Sequence, residues 1–353
     1  MGYFQALVKN LDDDITHFAD QGTSASEFSS FVDTGSYILN ALMSGSIYGG
    51  VPDNKITAFA GEESTGKTFL VLGIIKRFLE NNKTGAVFYY DTEAAVTKGM
   101  MSDRGIDTAR VILVEPDTIQ DFRTHILKVL DNYIKTGETD RPPMMVVLDS
   151  LGQLSTIKEI SDSLAGAETK DMTKAQLLKA TFRTINLRLA KCKVPLLVTN
   201  HVYAVIGAYV PTKEISGGSA LKYSASQIVM LSKKKDKEGD QIVGNIIRCR
   251  LLKSRFTKEN KAVEVKLSYE SGLDRYYGLL DIAEKYNIIK KVSTRYELPD
   301  GTKVFGKNIN EEPEKYFTKD ILDQLEDVVV KEFKYGQISS ADVVEEEIET
   351  NDT

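Results

Sequence analysis

Short runs of apolar residues alternate with longer amphipathic stretches between residues 34 and 270. Continuous apolar runs of this length are typical of strands covered on both faces of a sheet. In 173–190 apolar side chains recur every three or four positions, and the segment 118–131 shows the same spacing from Thr118 onward, as amphipathic helices do. This alternation predicts an α/β fold with a mostly parallel central sheet. The predicted strands are 56–60, 86–91, 111–114, 144–149, 194–199, 228–231, 246–252 and 263–267.

The two ends of the chain differ in composition from this core segment. Residues 1–33 combine an amphipathic stretch (Tyr3, Phe4, Leu7 and Leu11) with the Ser- and Gly-rich stretch QGTSASEFSS, and predict a small arm that packs on its own core or on a neighbouring subunit. Residues 271–336 predict a small C-terminal region with a helix near 319–334. The acidic residues of 337–353 predict a disordered tail. Near the end of the core, the polar segment KKKDKEGDQ predicts a turn that joins the last strands in an antiparallel extension.

The overall charge is acidic, with a net charge of −6 and a pI of about 5.4. This argues mildly against a nucleic-acid partner, but residues 231–261 are rich in Lys and Arg, and local patches do the binding. The acidic tail would either compete with DNA for that surface or only add solubility. Cys192 and Cys249 lie far apart and predict small buried side chains in a reducing cytosol. With no basic leader and no apolar stretch of ~20 residues, we expect a soluble cytoplasmic protein without a membrane partner.

The segment GEESTGKT matches the phosphate-binding loop pattern GxxxxGK[ST] in its proper context, between a predicted strand and a predicted helix. Glycines let backbone N–H groups turn toward phosphate oxygens at a helix N-terminus, where the helix dipole also favours anions. In this pattern Lys67 reaches the β- and γ-phosphates and the Thr68 hydroxyl ligates Mg²⁺. The predicted nucleotide-binding residues here are Gly61, Glu62, Glu63, Ser64, Thr65, Gly66, Lys67, Thr68 and Phe69.

Two further carboxylates follow predicted strands. Asp149 ends the apolar run MMVVLD and predicts a Walker B residue that holds the Mg²⁺ shell together with Thr68. Glu93 follows the strand in FYYDTE. A glutamate at such a strand end can polarise the water that attacks a γ-phosphate, and a surface carboxylate is the alternative.

The order of DTGSYILNALMSGSIYGGVP, GEESTGKT, YYDTEA, VVLDS, TNH and ISGGSALKYSAS resembles the core of the RecA family across 34–270. Within it, TNH, DMTKAQ and VILVEP resemble the UvsX-type phage recombinases. The resemblance implies a RecA-type P-loop ATPase core with ATP and Mg²⁺ as cofactors. It also implies a homo-oligomeric helical filament on single-stranded DNA, homologous double-stranded DNA as second partner, and mediator and single-strand-binding proteins as further candidate partners.

The same resemblance implies roles for residues around the nucleotide. Glu93 becomes the expected catalytic base, and the position of an adenine-stacking tyrosine falls on Met100, which can still pack on a purine. A γ-phosphate-sensing glutamine is replaced by His201, whose neutral imidazole can donate one hydrogen bond. Lys253 and Arg255 occupy the positions of two lysines that reach the γ-phosphate of the next subunit. Two apart on a predicted strand, they are expected on one face, and ordinary solvated cations are the alternative.

Two segments, 152–170 and 202–218, occupy the positions of the DNA-binding loops L1 and L2 of the family. Single-stranded DNA is held by backbone N–H groups, cations, and apolar or aromatic wedges. The long second segment has several apolar residues that would be unusual without a partner, although each single residue could be an ordinary surface group. The candidate DNA-binding residues are Lys158, Tyr203, Ile206, Tyr209, Lys213, Gly217, Gly218 and Lys222.

Together these features predict an ATP-dependent DNA recombinase that pairs homologous strands and exchanges them. A hexameric helicase of the same fold and a regulatory nucleotide-gated DNA-binding paralogue are the alternatives. The sequence has no large N-terminal helical segment, as the helicase would need, and both loop segments and the ATPase residues are present, which speaks against the paralogue.

Overall fold

The computed structural model describes residues 2–11, 16, 18, 20, 30–137, 139–166, 171–204, 213–216 and 219–336. The predicted acidic tail, 337–353, lies outside them. Among these residues the helices are α1 (Tyr3–Leu11), α2 (Tyr37–Ser44), α3 (Lys67–Asn81), α4 (Lys98–Ser102), α5 (Ile119–Lys135), α6 (Ile157–Leu164), α7 (Lys174–Cys192), α8 (Ser219–Ser224), α9 (Leu279–Lys285), α10 (Gly306–Glu311), α11 (Pro313–Tyr316) and α12 (Lys319–Phe333).

The strands over the same residues form one large sheet and two small ones. Their bounds are β1 (Phe31–Val32), β2 (Val51–Pro52), β3 (Ile56–Gly61), β4 (Ala86–Asp91), β5 (Val111–Val114), β6 (Met144–Asp149), β7 (Leu196–Ala204), β8 (Lys213–Ile215), β9 (Gln227–Glu238), β10 (Gln241–Ser254), β11 (Ala262–Ser268), β12 (Gly272–Leu273), β13 (Lys290–Val292), β14 (Arg295–Glu297) and β15 (Lys303–Phe305).

The large sheet has the order β12-β11-β10-β9-β3-β7-β6-β4-β5, with β8 paired to β7. The pairs from β9 through β3, β7, β6 and β4 to β5 are parallel, and β9 to β12 are antiparallel. The predicted α/β class, parallel core and antiparallel extension are therefore confirmed. Because β3, β7, β6 and β4 run in the same direction, the residues at their carboxyl ends gather along one edge of the sheet.

Helices cover both faces of the sheet. On one face α2 and α3 bury side chains such as Leu42 and Ile74 in a core that also takes in Leu325 of α12. On the other face α5, α7 and α8 contribute Phe122, Phe182 and Leu221. Thr118 caps α5 by accepting a hydrogen bond from the Asp121 N–H, as the sequence pattern predicts. No helix among the described residues is apolar over enough of its length to cross a bilayer.

The predicted turn KKKDKEGDQ is wrong for most of its residues, which belong to strands. The segment KKKDKEGDQ continues β9 to Glu238 and starts β10 at Gln241, so that only Gly239 and Asp240 turn. Its polar side chains stay in the strand because they pair across the sheet. Lys234 binds Glu264 at 2.8 Å and Asp236 binds Lys266 at 3.0 Å, both on β11. These ion pairs join β9 and β11 across the intervening strand β10, in a polar part of the sheet that apolar patterning does not reveal.

The C-terminal residues share their core with the rest of the molecule. Helix α12 packs on α2 and α9, and its Glu332 carboxylate binds Lys261, Lys285 and Tyr286 at 2.6–2.7 Å. At the other end, α1 has no buried residue. The boundaries at 33, 270 and 336 remain a prediction.

Candidate active site

The predicted phosphate-binding loop joins the fully buried strand β3 to helix α3. Gly66, just before the helix, has a φ of +93°, and a Cβ there would lie 2.8 Å from Cδ1 of Ile247. Only glycine fits this left-handed, close-packed position. The buried Lys67 ammonium donates hydrogen bonds to the carbonyl oxygens of Gly61 and Glu62 at 3.2 and 2.9 Å. The loop thus curls around the lysine that the sequence assigns to phosphate.

Burial lowers the pKa of Lys67, although the negative charges of Glu93, Asp149 and Glu63 partly oppose this effect. These carboxylates lie close enough to the ammonium to influence it electrostatically. The site therefore brings one buried cation to three acidic groups from separate segments, and further negative charge from phosphate would favour the protonated lysine.

Asp149, at the carboxyl end of β6, is buried and accepts hydrogen bonds from three hydroxyl groups. Oδ2 accepts from Thr68 Oγ1 at 2.7 Å and from the Tyr89 hydroxyl at 2.6 Å, and Oδ1 accepts from Thr199. The Thr68–Asp149 contact joins the two residues that the sequence assigns to Mg²⁺. Sequence reasoning missed Tyr89 and Thr199. A hydroxyl group in an otherwise apolar, buried strand needs a hydrogen-bond partner, and this requirement was the signal in the sequence that could have identified both residues.

Glu93 follows β4 and meets His201 of β7. The distance between Glu93 Oε1 and His201 Nε2 is 2.8 Å, and both side chains are about a quarter exposed (25% and 29%). Asp91 fixes the turn before them by accepting hydrogen bonds from the N–H groups of Glu93 and Val96 at 3.1 and 3.2 Å.

Burial alone would raise the pKa of Glu93, but the polar side chain of Ser150, the contact with His201 and the positive charge of Lys67 hold that pKa below its ordinary value. The carboxylate is therefore ionised at neutral pH and can accept a proton.

A cavity of about 670 Å³ lies along α3, beginning at Phe69 in the first turn of that helix. Phe69, Arg104, Tyr269 and Gly272 are among its lining residues, and the Arg104 guanidinium lies 4.6 Å from the centre of the Phe69 ring. Met100, the predicted purine contact, is half-buried on α4 and is not among the residues that line this cavity.

The first loop segment is more ordered than a loop prediction suggests. Within it α6 begins at Ile157, where Thr156 and Glu159 form a reciprocal capping box. Lys158 lies on this helix and pairs with Asp162 at 2.5 Å. The base of the segment is closed by Thr156, whose hydroxyl donates to Asp171 at 2.6 Å.

The second loop segment begins and ends as a hairpin, because Val202, Tyr203 and Ala204 of β7 pair with β8. Tyr203 is 51% exposed, and Lys222 is exposed on α8. Lys213 lies on β8, and Ile206, Tyr209, Gly217 and Gly218 fall outside the described residues.

The strand on which Lys253 and Arg255 are expected to share a face ends between them, and the shared face itself stays a prediction. Strand β10 ends at Ser254 after a register shift between Leu251 and Lys253, so the alternation of a strand does not reach Arg255. Arg255 is exposed beyond the strand end. The Lys253 ammonium instead donates to three carbonyl oxygens at the end of α8, those of Lys222, Tyr223 and Ala225, at 2.6, 3.3 and 2.7 Å.

These residues fit a nucleoside triphosphate with Mg²⁺. Among the described residues the buried Lys67 ammonium has only backbone carbonyls as hydrogen-bond partners, and it lies at the start of α3, where the helix dipole favours anions. Beside it, a hydroxyl and a carboxylate, the ligand types that Mg²⁺ prefers, lie 2.7 Å apart.

The chain matches known proteins over most of its length. The model of the RecA N-terminal domain family matches residues 15–274. The chain is 26% identical over 327 residues to a recombination and repair protein of Enterobacteria phage T4, covering 88% of this chain and 81% of that protein. It is 28% identical over 316 residues to protein RecA of Bifidobacterium breve, covering 88% and 75% of the two chains. It is 30% identical over 246 residues to protein RecA 2 of Myxococcus xanthus, covering 69% and 65%. The fold, the loop and these matches agree, and the chain belongs to the RecA family.

Proposed function

We propose that this chain is an ATP-dependent DNA recombinase that forms filaments on single-stranded DNA, pairs it with homologous duplex and exchanges strands. The phage T4 relative is named a recombination and repair protein, and the other relatives carry the RecA name. We place its action in the cytoplasm of the host cell. Mediator and single-strand-binding proteins belong to the proposed partners.

The contact between Glu93 and His201 carries this proposal. Glu93 lies at the phosphate-binding edge of the sheet, whereas His201 is on β7, which continues directly into the second loop segment. His201, the proposed γ-phosphate sensor, therefore lies three residues before the end of β7, the strand that leads to the proposed DNA loop. This connection favours an ATPase whose DNA binding and hydrolysis depend on each other.

In the proposed reaction Lys67 exchanges its carbonyl contacts for β- and γ-phosphate oxygens, and Glu93 accepts the proton of the attacking water. Thr68 and Asp149 would hold Mg²⁺, which neutralises charge on the phosphates when bound. His201 donates a hydrogen bond toward the γ-phosphate. Lys253 and Arg255 of the neighbouring subunit would stabilise the charge that develops there, and the cavity beside Phe69 is a candidate pocket for the base.

DNA binding is assigned to the two loop segments. Tyr203, Ile206 and Tyr209 are the proposed wedges between bases, while Lys158, Lys213 and Lys222 are the proposed phosphate contacts. Gly217 and Gly218 would let the backbone approach a phosphate just before α8. The exposed Tyr203 ring and the exposed Lys222 side chain support this assignment.

The test combines hydrolysis with strand exchange. Wild-type protein should hydrolyse ATP faster with single-stranded DNA, form long helical filaments, and transfer a strand from homologous duplex to circular single-stranded DNA. The Lys67→Ala variant should lose all ATP-driven activity, because it lacks the cation that neutralises the β- and γ-phosphates. Closed six-membered rings would favour the helicase, and DNA binding without exchange would favour the regulatory paralogue.

A further inference from the structure

Two buried hydroxyl groups converge on the Asp149 carboxylate from the strands on either side of β6. The Tyr89 hydroxyl, on β4, donates to Oδ2 at 2.6 Å, and the Thr199 hydroxyl, on β7, donates to Oδ1. Both side chains are fully buried in a part of the sheet where the other inward side chains are mostly apolar. A buried carboxylate held from two sides in this way cannot rotate without breaking a charge-assisted hydrogen bond.

The third donor to the carboxylate is Thr68, whose hydroxyl reaches Oδ2 at 2.7 Å. An ionised carboxylate has about four acceptor positions, so three hydroxyl donors leave one position open. In the contact between Tyr89 and Asp149 the phenol is the donor, because an ionised carboxylate only accepts hydrogen bonds.

We propose that Tyr89 and Thr199 are positioning residues that fix the Asp149 carboxylate in one orientation for the Mg²⁺–nucleotide complex. The inference rests on the proposed function, because Tyr89 and Thr199 would orient a ligand of the same proposed Mg²⁺ site. Mg²⁺ demands near-ideal octahedral geometry, whereas Ca²⁺ accepts looser and more variable oxygen ligands. A rigidly held carboxylate should therefore favour Mg²⁺ over Ca²⁺ more than a freely rotating one would.

The chain offers a matched control for each residue. Tyr90 is as buried as Tyr89 and adjoins it on β4, but it points to the other face of the sheet, where its hydroxyl meets His125 Nδ1 at 2.9 Å. Thr57 on β3 is as buried as Thr199, and its hydroxyl has no hydrogen-bond partner among the described residues. Removing these two hydroxyl groups changes buried strands of the same sheet without touching Asp149.

The experiment measures binding of a fluorescent ATP analogue by the full chain, without DNA, while Mg²⁺ or Ca²⁺ is titrated. The variants are Tyr89→Phe and Thr199→Val, with Tyr90→Phe and Thr57→Val as controls, and unfolding by urea without metal monitors the fold of each. We expect both test variants to need about 10-fold more Mg²⁺ for half-saturation, the usual order for loss of an outer-shell partner. The Ca²⁺ requirement should change clearly less, and the controls should match wild type.

Several outcomes would overturn the inference. Mg²⁺ half-saturation in Tyr89→Phe and Thr199→Val equal to that of the controls would do so. So would equal changes for Mg²⁺ and Ca²⁺, because a general loss of site structure has no preference between the ions. If Tyr89→Phe does not fold, Thr199→Val decides by the same criteria. Wild-type protein whose nucleotide binding ignores Mg²⁺ would instead overturn the proposed function, and the inference with it.

Discussion

Glu93 and His201 face each other at 2.8 Å although 108 residues separate them in the chain. They meet because β4 and β7 lie on either side of β6 in a parallel sheet, so that both strands end at the same edge. The contact ties the proposed base to the strand that leads to the second loop segment. A movement of that strand that keeps the contact would therefore shift the Glu93 carboxylate.

The first prediction concerns Glu93→Gln. The amide cannot accept the proton of the attacking water, so hydrolysis should slow by roughly 10²–10⁴-fold. Binding of ATP and DNA should persist, because Gln keeps the shape and can still bond to His201, and filaments should therefore outlast those of wild type. Single-turnover hydrolysis and electron microscopy measure both effects. Normal turnover would show that Glu93 is not the base.

The second prediction concerns Thr92, which precedes Glu93 and is hydrogen-bonded to Ser150, the residue that follows β6. Its hydroxyl donates to the Ser150 carbonyl at 2.7 Å and accepts from the Ser150 N–H at 2.8 Å. Thr92→Val removes both bonds and should lower the free energy of unfolding by about 1–3 kcal/mol, because partly buried backbone groups lose a partner. Hydrolysis should fall as Glu93 loses its support.

Thr92→Ser is the matched control, since it keeps the hydroxyl and removes only a methyl group. Urea denaturation and steady-state hydrolysis compare the two variants. If Thr92→Ser lost as much activity as Thr92→Val, packing of the methyl group would matter more than the two hydrogen bonds.

The nucleotide loop and the parallel core could be predicted from the sequence because their causes are local. Gly66 is required by a left-handed backbone, and β4, β5 and β6 are short apolar runs whose observed bounds equal the predicted ones. The hydroxyl donors to Asp149 could not be predicted in the same way. The pairing of a buried hydroxyl group with a particular carboxylate depends on the order of the strands in the sheet. The hydrophobic pattern predicts the strands but not their order.

The errors have the same origin. The polar end of β9 looks like a turn because its partners lie on β11, about 30 residues further along the chain in the case of Lys234 and Glu264. The end of β10 at Ser254 depends on pairing with β9, so the side-chain direction of Arg255 could not follow from its spacing to Lys253 alone.

The third prediction concerns Glu332, which joins α12 to Lys261, Lys285 and Tyr286. Burial would raise the pKa of this carboxyl, but the two lysines and the tyrosine lower it to about 2. A lowered pKa stabilises the fold above the ordinary carboxyl range, and this stabilisation is lost as the pH falls toward 2. Glu332→Gln should therefore cost about 2–3 kcal/mol at pH 7.

Urea denaturation at several pH values checks this expectation, and Asp327→Asn on the exposed face of α12 is the control. The difference between wild type and Glu332→Gln should shrink steadily between pH 5 and pH 2, as the wild-type carboxyl is protonated and loses the charge that Gln always lacks (~1.4 kcal/mol for each pKa unit). If the difference in the free energy of unfolding did not depend on pH, the packing of the Glu332 side chain, and not its charge, would stabilise the position of α12.

The fourth prediction compares two lysines near the proposed DNA path. Lys222 is exposed, and its replacement by Ala should reduce the salt dependence of DNA binding by about one released counterion. Lys158 is already paired with Asp162 at 2.5 Å. If Lys158 exchanges Asp162 for a DNA phosphate, as proposed, then removing both charges together with Lys158→Ala and Asp162→Ala should lower the slope as much as Lys222→Ala does. An unchanged slope would show that Lys158 stays paired with Asp162 and is not a phosphate contact.

The last prediction concerns the cations proposed to act on the next subunit. Arg255 is exposed beyond the end of β10, so it is available to a neighbour, whereas Lys253 holds the carbonyl end of α8 within its own subunit. We therefore expect Arg255→Ala to lose hydrolysis through the neighbour's site. A trans-acting arginine contributes about 10³–10⁵-fold in rate, since charge on the transferred phosphoryl group needs a cation.

Mixing two inactive variants tests this directly. Arg255→Ala subunits keep the phosphate-binding loop, and Lys67→Ala subunits keep the cation. In filaments of equal composition about one interface in four pairs an intact loop with an intact cation, because each head-to-tail contact takes one element from each subunit. Hydrolysis should return to about that fraction. Lys253→Ala should lose the same contribution to the neighbour's site, and it should in addition weaken DNA binding, because it frees the end of the helix that follows the second loop segment. If mixed filaments form and stay inactive, or Arg255→Ala is active alone, the cation acts within its own subunit or not at all.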